Sequence, residues 1–213
     1  MIYLFRELYS FSEELFRKAL DMLPPGRREY VLHFGQSNDQ KRSAIDWLLL
    51  NYGLQKEYHI SAPPEFLFAA SGKPFLSGEH MPFFNFSHSG VYIACAVFHQ
   101  DIGLDIQNLA TPRDSLVRRV CTQTEFSSIH SPADFCQLWS MKESAAKLTG
   151  EGITGNFRDI LALHPEMHTY TTTLTDPVAF LSYSIYISEE IPIQVISAQQ
   201  LLKNKKGSGF IHT

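Results

Sequence analysis

The chain has little cysteine. Three residues in 213, Cys95, Cys121 and Cys136, are odd in number and carry no metal-ligand spacing. This argues against a disulfide framework or a zinc site and fits a reducing cytosol. It also lacks a long apolar run. The longest, Val91 to Phe98, is far short of the ~20 residues a membrane span needs, so no membrane partner is expected. Arg6 and Glu7 stand where a signal peptide would be apolar, which makes the expected location cytoplasmic. Positive charge is not in excess. With 18 Lys+Arg against 22 Asp+Glu the net charge is −4, which argues against a nucleic-acid binder. Fixed-period repeats and low-complexity blocks are missing. So are a phosphate-binding P-loop and a G-x-S-x-G elbow around Ser87-His88. His164-Pro165-Glu166-Met167-His168 lacks the H-E-x-x-H order, and Pro165 disfavours a helix, so it reads as loop.

What is present is an ordinary globular composition, 44% apolar and 19% charged, long enough for one domain or two small ones. Helical periodicity begins at Ser12 and closes at Pro24-Pro25-Gly26. A second helix is predicted from about Asp39 to Tyr52, ending at Gly53. Val91–Phe98 and Ile102–Gln107 read as strands joined in a hairpin. A helix is expected over Arg113–Val120. The strongest helical pattern runs from Pro132 to Leu148, with Asp134 as a cap and Gly150 as the stop. Alternating residues from Thr169 to Ile196 predict antiparallel strands, followed by a flexible tail over Lys203–Gly209. The expectation is a mixed α/β chain with antiparallel hairpins and a boundary near residue 100.

The chemistry-bearing residues share faces. Asp105 and Gln107, two apart on a strand, point to one side of a sheet. Trp139, Glu143 and Lys147 fall at i, i+4 and i+8 on the predicted helix and form one stripe. A strand-end Asp with a helix Glu suits Mg²⁺, which takes one or two carboxylates and fills its shell with water and phosphate oxygens. Lys142 and Lys147 flank Glu143 and could neutralise those phosphates. Taken singly, each of these residues also fits a surface pair, a turn or the core.

Four segments in order carry a resemblance. They are Gly72-Lys73-Pro74, Phe84-Asn85-Phe86-Ser87-His88-Ser89, Gly103-Leu104-Asp105-Ile106, and Trp139-Ser140-Met141-Lys142-Glu143-Ser144-Ala145-Ala146-Lys147-Leu148-Thr149-Gly150. Together they resemble the phosphopantetheinyl transferases of the longer, two-half type similar to the surfactin-synthetase activator. The last segment matches the family pattern W-S-x-K-E-S/A-x-x-K-x-x-G throughout.

The resemblance implies a pseudo-dimer of two similar halves, each an antiparallel-rich sheet packed with helices. Residues 1–100 would bind coenzyme A, residues 101–213 would carry the metal site and carrier docking, and the cleft would lie between them. The implied reaction moves 4′-phosphopantetheine from coenzyme A to a serine of an apo carrier protein. Asp105 and Glu143 would hold Mg²⁺, with Mn²⁺ as the other candidate. Gln107 stands where many members have a second acidic ligand, a departure that supplies no charge. Glu125 falls where some members are thought to have the general base; a helix-start cap is its other reading. Lys147 would contact the phosphate under attack, Lys73, Ser87 and His88 would hold coenzyme A, and Arg27 and Arg42 align with residues that bind its adenosine end.

The carrier, typically an acidic helical bundle, would meet Arg113, Arg118 and Arg119, with apolar contact from Val117, Val120 and Phe126. A monomer is expected, since a pseudo-dimer completes its own cleft. Two other readings share the parts: a Mg²⁺-dependent phosphohydrolase of coenzyme A, and a non-catalytic coenzyme A or carrier-binding paralogue.

Overall fold

The computed structural model describes residues 1–153 and 155–203. β1 (Ile2–Phe5) is buried along its length. α1 (Glu13–Asp21) starts at Ser12, whose side chain accepts from Leu15 N, and has Glu13 and Glu14 in the first turn, where the helix dipole favours acids. Pro25 then opens α2 (Pro25–Leu32), so the Pro-Pro-Gly segment expected only to close one helix also begins the next. α3 (Ser37–Tyr58) continues through Gly53, against expectation. A Cβ on Gly53 would stand 2.6 Å from Tyr3 and 2.8 Å from Val97, so this glycine lets the helix lie against the sheet instead of ending it. The stop is His59, in the left-handed region at φ 56°.

The remaining elements are β2 (Phe66–Phe68), β3 (Pro74–Leu76), β4 (Phe83–Ser89), β5 (Tyr92–Phe98), β6 (Gly103–Asn108), α4 (Asp114–Val120), α5 (Gln123–Ser128), α6 (Pro132–Thr149), α7 (Ile160–Leu163), β7 (His168–Thr175), β8 (Val178–Ile185), β9 (Ile193–Val195) and α8 (Ala198–Leu202). The strands form one sheet in the order β4-β5-β1-β9, another in the order β6-β8-β7, and the small β2-β3 pair. The fold is therefore mixed α/β with antiparallel-rich sheets packed with helices.

Two sequence expectations change. β5 and β6 are not a hairpin: β5 has β4 on one side and β1 on the other, both its edges are used, and β6 leaves to pair with β8. β9 is not part of an antiparallel set; it returns to the first sheet and runs parallel to β1. Ile193–Val195, far along the chain, thus complete the sheet that β1 begins. The predicted tail, beyond Lys203, lies outside the described residues.

Side-chain alternation stacks the layers. Tyr3 and Phe5 of β1 and Ile93, Cys95 and Val97 of β5 pack on Trp47, Leu50 and Leu54 of α3. The intervening residues Ile2, Leu4, Ala94 and Ala96 face Leu104, Ile106, Leu181 and Tyr183 of the second sheet. Phe180 on the far side meets Ala145 and Ala146 of α6. The order is helix, sheet, sheet, helix. All three cysteines are buried and unpaired. Among the described residues, no helix is long and apolar enough to cross a membrane.

The sheets are joined by side chains. On β4, Asn85 Oδ1 accepts from Leu104 N (3.1 Å), Ser87 Oγ from Ile106 N (2.9 Å) and Ser89 Oγ from Asn108 N (3.1 Å). Every second residue of Asn-Phe-Ser-His-Ser therefore satisfies a backbone N–H of β6, where a neighbouring strand would otherwise be needed. The alternate residues Phe86 and His88 face a groove on the other side.

Candidate active site

α6 lies unusually close to β6 because the residues between them are small. A Cβ on Gly103 would fall 1.8 Å from Ser144 O and 2.5 Å from Leu148 N, so only glycine fits there. Ser140 Oγ donates to Phe180 O (3.1 Å), and Ser144 and Ser184 share a 2.8 Å hydrogen bond. α6 is fixed at its start by a capping box of Ser131 and Asp134, and at its end by Gly150 in the left-handed region. Ser131, not Asp134, is the cap, and Asp134 closes the box from the third helical position.

This crossing brings together Asp105 of β6 and Glu143 and Lys147 of α6. Asp105 is 7% exposed. Its Oδ1 accepts from Lys147 Nζ (2.7 Å) and Ser87 Oγ (3.1 Å). Lys147 Nζ also donates to Leu104 O (3.0 Å) and Ser87 Oγ (3.2 Å), which uses all three of its donors. Glu143 is half-buried and makes no hydrogen bond or ion pair among the described residues. Burial raises its pKa first and the charge of Asp105 raises it further, opposed by Lys147. Two carboxylates thus lie near enough for the charge of one to act on the other, with a single lysine to offset them.

Gln107, on the same side of β6, turns its Nε2 to Asn108 O (2.9 Å) and lines a neighbouring groove with Trp139. Among the described residues, no group of three His, Cys, Asp or Glu is placed to hold a metal. A divalent ion here would rest on two carboxylates and neutral oxygens, a donor set that suits Mg²⁺ with substrate phosphate.

Two expected contributors lie elsewhere. Lys142 is 1% exposed and faces away from Glu143; its Nζ donates to Val120 O (2.9 Å), Glu125 Oε2 (2.8 Å) and Arg158 O. It ties α6 to α4 and α5 and does not neutralise phosphate. Glu125 Oε2 accepts from Lys142 and from Thr122 N (2.7 Å), completing a capping box for α5. Its carboxylate is engaged in the cap that the sequence offered as its second reading.

The second cluster lies in a groove of about 410 Å³ between α2, α3 and β4. Arg27, Arg42 and His88 line it, with Tyr30, Phe66 and Phe86 as aromatic walls. Arg27 donates to Ser43 O (2.8 Å) and Ser43 Oγ (2.9 Å), and its guanidinium lies 4.7 Å over the Tyr30 ring. Arg42 pairs with Asp39 (2.8 Å). The Nε of each arginine is buried without a partner. Partial desolvation lowers the pKa of His88, and Arg42 and Lys147 lower it further. Asp46, which the sequence reading passed over, lines the floor. Ser87 is not in this groove; it sits between Asp105 and Lys147. Lys73 is also outside it, bound to Asp101 Oδ1 (2.5 Å) and Leu148 O (3.0 Å).

Arg113, Leu116 and Arg119, where the sequence placed carrier docking, line a groove with Gln107 that is about 670 Å³ in volume. Arg118 covers the Phe126 ring at 5.1 Å. Val117 and Val120 are buried with Phe157 and Phe180, so the apolar contact expected of them goes to the core.

A sequence model of the 4′-phosphopantetheinyl transferase superfamily matches residues 101–196. The chain is 30% identical over 160 residues to a 4′-phosphopantetheinyl transferase of Bacillus subtilis, covering 72% of this chain and 70% of the relative. It is 28% identical over 195 residues to one from Bacillus pumilus, covering 84% and 83%. To the L-aminoadipate-semialdehyde dehydrogenase-phosphopantetheinyl transferase of Saccharomyces cerevisiae it is 27% identical over 203 residues, covering 84% and 74%.

Proposed function

Because this chain belongs to the 4′-phosphopantetheinyl transferase superfamily, we propose that it moves 4′-phosphopantetheine from coenzyme A to a serine of an apo carrier protein, with 3′,5′-ADP as the leaving group. The observation that carries this reading is the crossing of β6 and α6, with Asp105, Glu143 and Lys147 against one another beside a cationic, aromatic groove.

Asp105 and Glu143 would hold Mg²⁺ or Mn²⁺, with Gln107 offering a neutral amide oxygen. The fit rests on Glu143, a half-buried carboxylate without a partner beside a second carboxylate, whose repulsion a divalent ion relieves. When bound, the ion supplies charge neutralisation at the pyrophosphate.

The chain's own side chains do the positioning. Arg27 and Arg42, which line the groove, hold the phosphates of the donor's adenosine end through their guanidinium groups. His88 adds a polar contact on the groove wall. Lys147 exchanges one of its three partners for an oxygen of the phosphate whose phosphorus is attacked, and Lys73 exchanges Asp101 for phosphate. The serine proton passes to a carboxylate of the cluster. Glu143 is favoured, since Glu125 is held by Lys142 and Thr122. Phosphoryl transfer needs little covalent help, so alignment and charge carry the rate.

An acidic carrier would dock over Arg113 and Arg119, beside Gln107. Charge reversal at Arg113 and Arg119 should raise the KM for the carrier; an unchanged KM removes the docking proposal. The protein acts as a monomer, every member of the cluster coming from one chain, and its unpaired cysteines suit the cytoplasm.

The test is to mix the protein with coenzyme A, Mg²⁺ and a panel of apo carriers and weigh each carrier. A gain of one 4′-phosphopantetheine is expected on at least one. No gain on any, or release of free 4′-phosphopantetheine without a carrier, counts against the transferase reading.

A further inference from the structure

Polar atoms around the groove between α2, α3 and β4 are left without partners. Among the described residues five buried side-chain polar atoms lack a hydrogen-bond partner, and three of them, Arg27 Nε, Arg42 Nε and Asp46 Oδ1, belong to residues that line this groove. Arg27 spends its bonds on Ser43, and Arg42 on Asp39 and Gly90 O. Neither guanidinium bonds Asp46, which is 9% exposed in a pocket that holds both. Buried polar groups are rarely left bare, and a set of them in one cavity marks a missing partner.

An acid in this position has two opposite effects. Ionised, it cancels the attraction of the arginines for a phosphate-bearing ligand. Neutral, it removes that repulsion, and its O–H becomes a donor to a phosphate oxygen. We infer that Asp46 couples donor binding to a proton: the phosphate-bearing donor binds the neutral acid, and the ionised acid opposes it. The inference rests on the assignment of this groove to coenzyme A. The balance is one proton taken from solvent by the Asp46 carboxylate as one donor binds; no covalent bond is made or broken.

The surroundings make this switch usable. Burial pushes the Asp46 pKa up to about 7, against the pull of Arg27, Lys147 and Arg42. The charged and titratable groups around it are Arg27 and Tyr30 from α2, Asp39 and Arg42 from α3, His88 from β4, Cys95 from β5 and Lys147 from α6. His88 is held below its usual range and Cys95 above its own, so neither changes charge between pH 7 and 8.5. A ligand phosphate, with a second pKa near ~6, is about nine-tenths ionised at pH 7 and almost wholly so by pH 8.5.

The experiment is calorimetric titration of the full chain and of Asp46→Asn with 3′,5′-ADP in EDTA, from pH 7 to 8.5, in buffers of different ionisation enthalpy. Wild-type affinity should fall above pH 7, approaching a limit of about tenfold per pH unit, with uptake of up to one proton. Asp46→Asn should show a flat profile and bind at least ~10-fold more tightly than wild type at pH 8.5. The wild-type proton count needs no variant, and Asp46→Ser serves if the Asn chain does not fold. An equal slope in the variant, or no proton uptake by wild type, overturns the inference alone. If neither chain binds 3′,5′-ADP at any pH, the groove assignment fails and this inference fails with it.

Discussion

The groove on α3 and the crossing of β6 with α6 treat polar groups in opposite ways. In the groove, two guanidinium Nε atoms and a carboxylate oxygen are buried without partners. At the crossing, Asp105 is held by Ser87 and Lys147, and Lys147 has every donor used. The first region leaves polar atoms open, which is why it is proposed to take the donor. The second is positioned in advance, with Glu143 left over. The two lysines of α6 repeat the contrast: Lys142 is 1% exposed and consumed by structure, whereas the Lys147 side chain is 30% exposed and reaches the cluster.

Changes at the crossing should break transfer outright. Asp105→Ala and Glu143→Ala are each expected to lower the transfer rate by ~10²–10³-fold or more, read by carrier mass gain over time, with the melting temperature little altered. A surviving rate in either variant would detach that residue from the chemistry.

The lysine contrast comes next. Lys142→Met removes one partner of a buried pair and should destabilise the fold by about 3–5 kcal/mol, toward the low end. The reason for the low end is that the Glu125 side chain is 21% exposed. Lys147→Met should abolish transfer even in the folded chain, and it should also destabilise the fold, because it leaves the Asp105 side chain, 9% exposed, without its cation. Denaturant titration and the mass assay on both chains separate the two roles.

Groove variants should act on binding. Arg27→Ala and Arg42→Ala should each raise the KM for coenzyme A by ~10–100-fold, the worth of a charge-assisted hydrogen bond, with kcat less affected. A fall confined to kcat would move these residues to the crossing's side of the comparison.

Stability offers a smaller readout. An acid whose folded pKa is raised to about 7 from 3.8 stabilises the fold at low pH, and that contribution is lost as pH rises through 7. Asp46→Asn should therefore melt higher than wild type at pH 8, by ~2–4 °C per kcal/mol gained, with the gap closing toward pH 4. A constant gap would contradict a buried titrating acid.

The smallest effect is expected at Glu125→Gln, which keeps an oxygen for the cap of α5. Transfer should stay within about tenfold of wild type, against the usual worth of ~10²–10⁴-fold for a general base. A loss as large as that of Glu143→Gln would restore Glu125 as a base.

Much of the crossing was legible in the sequence. Period two on β6 and period 3.6 on α6 put Asp105 and Gln107 on one face and Trp139, Glu143 and Lys147 on one stripe. Pairing was not legible. β5 reads as half of a hairpin, and nothing local tells that both its edges are taken by β4 and β1. Gly53 carries a stop signal that packing against Tyr3 and Val97 overrides. Lys142 and Lys147 look alike beside Glu143, yet five positions on a helix turn a side chain to another face. Gly103 shows its purpose only when α6 lies on it, and Asp46 only when the groove closes above it.

Manganese binding tests the central claim most directly. With coenzyme A present, electron paramagnetic resonance of the wild-type chain should count one bound Mn²⁺, and Asp105→Asn and Glu143→Gln should each release it. One tightly held Mn²⁺ in either variant would contradict a grip shared by β6 and α6.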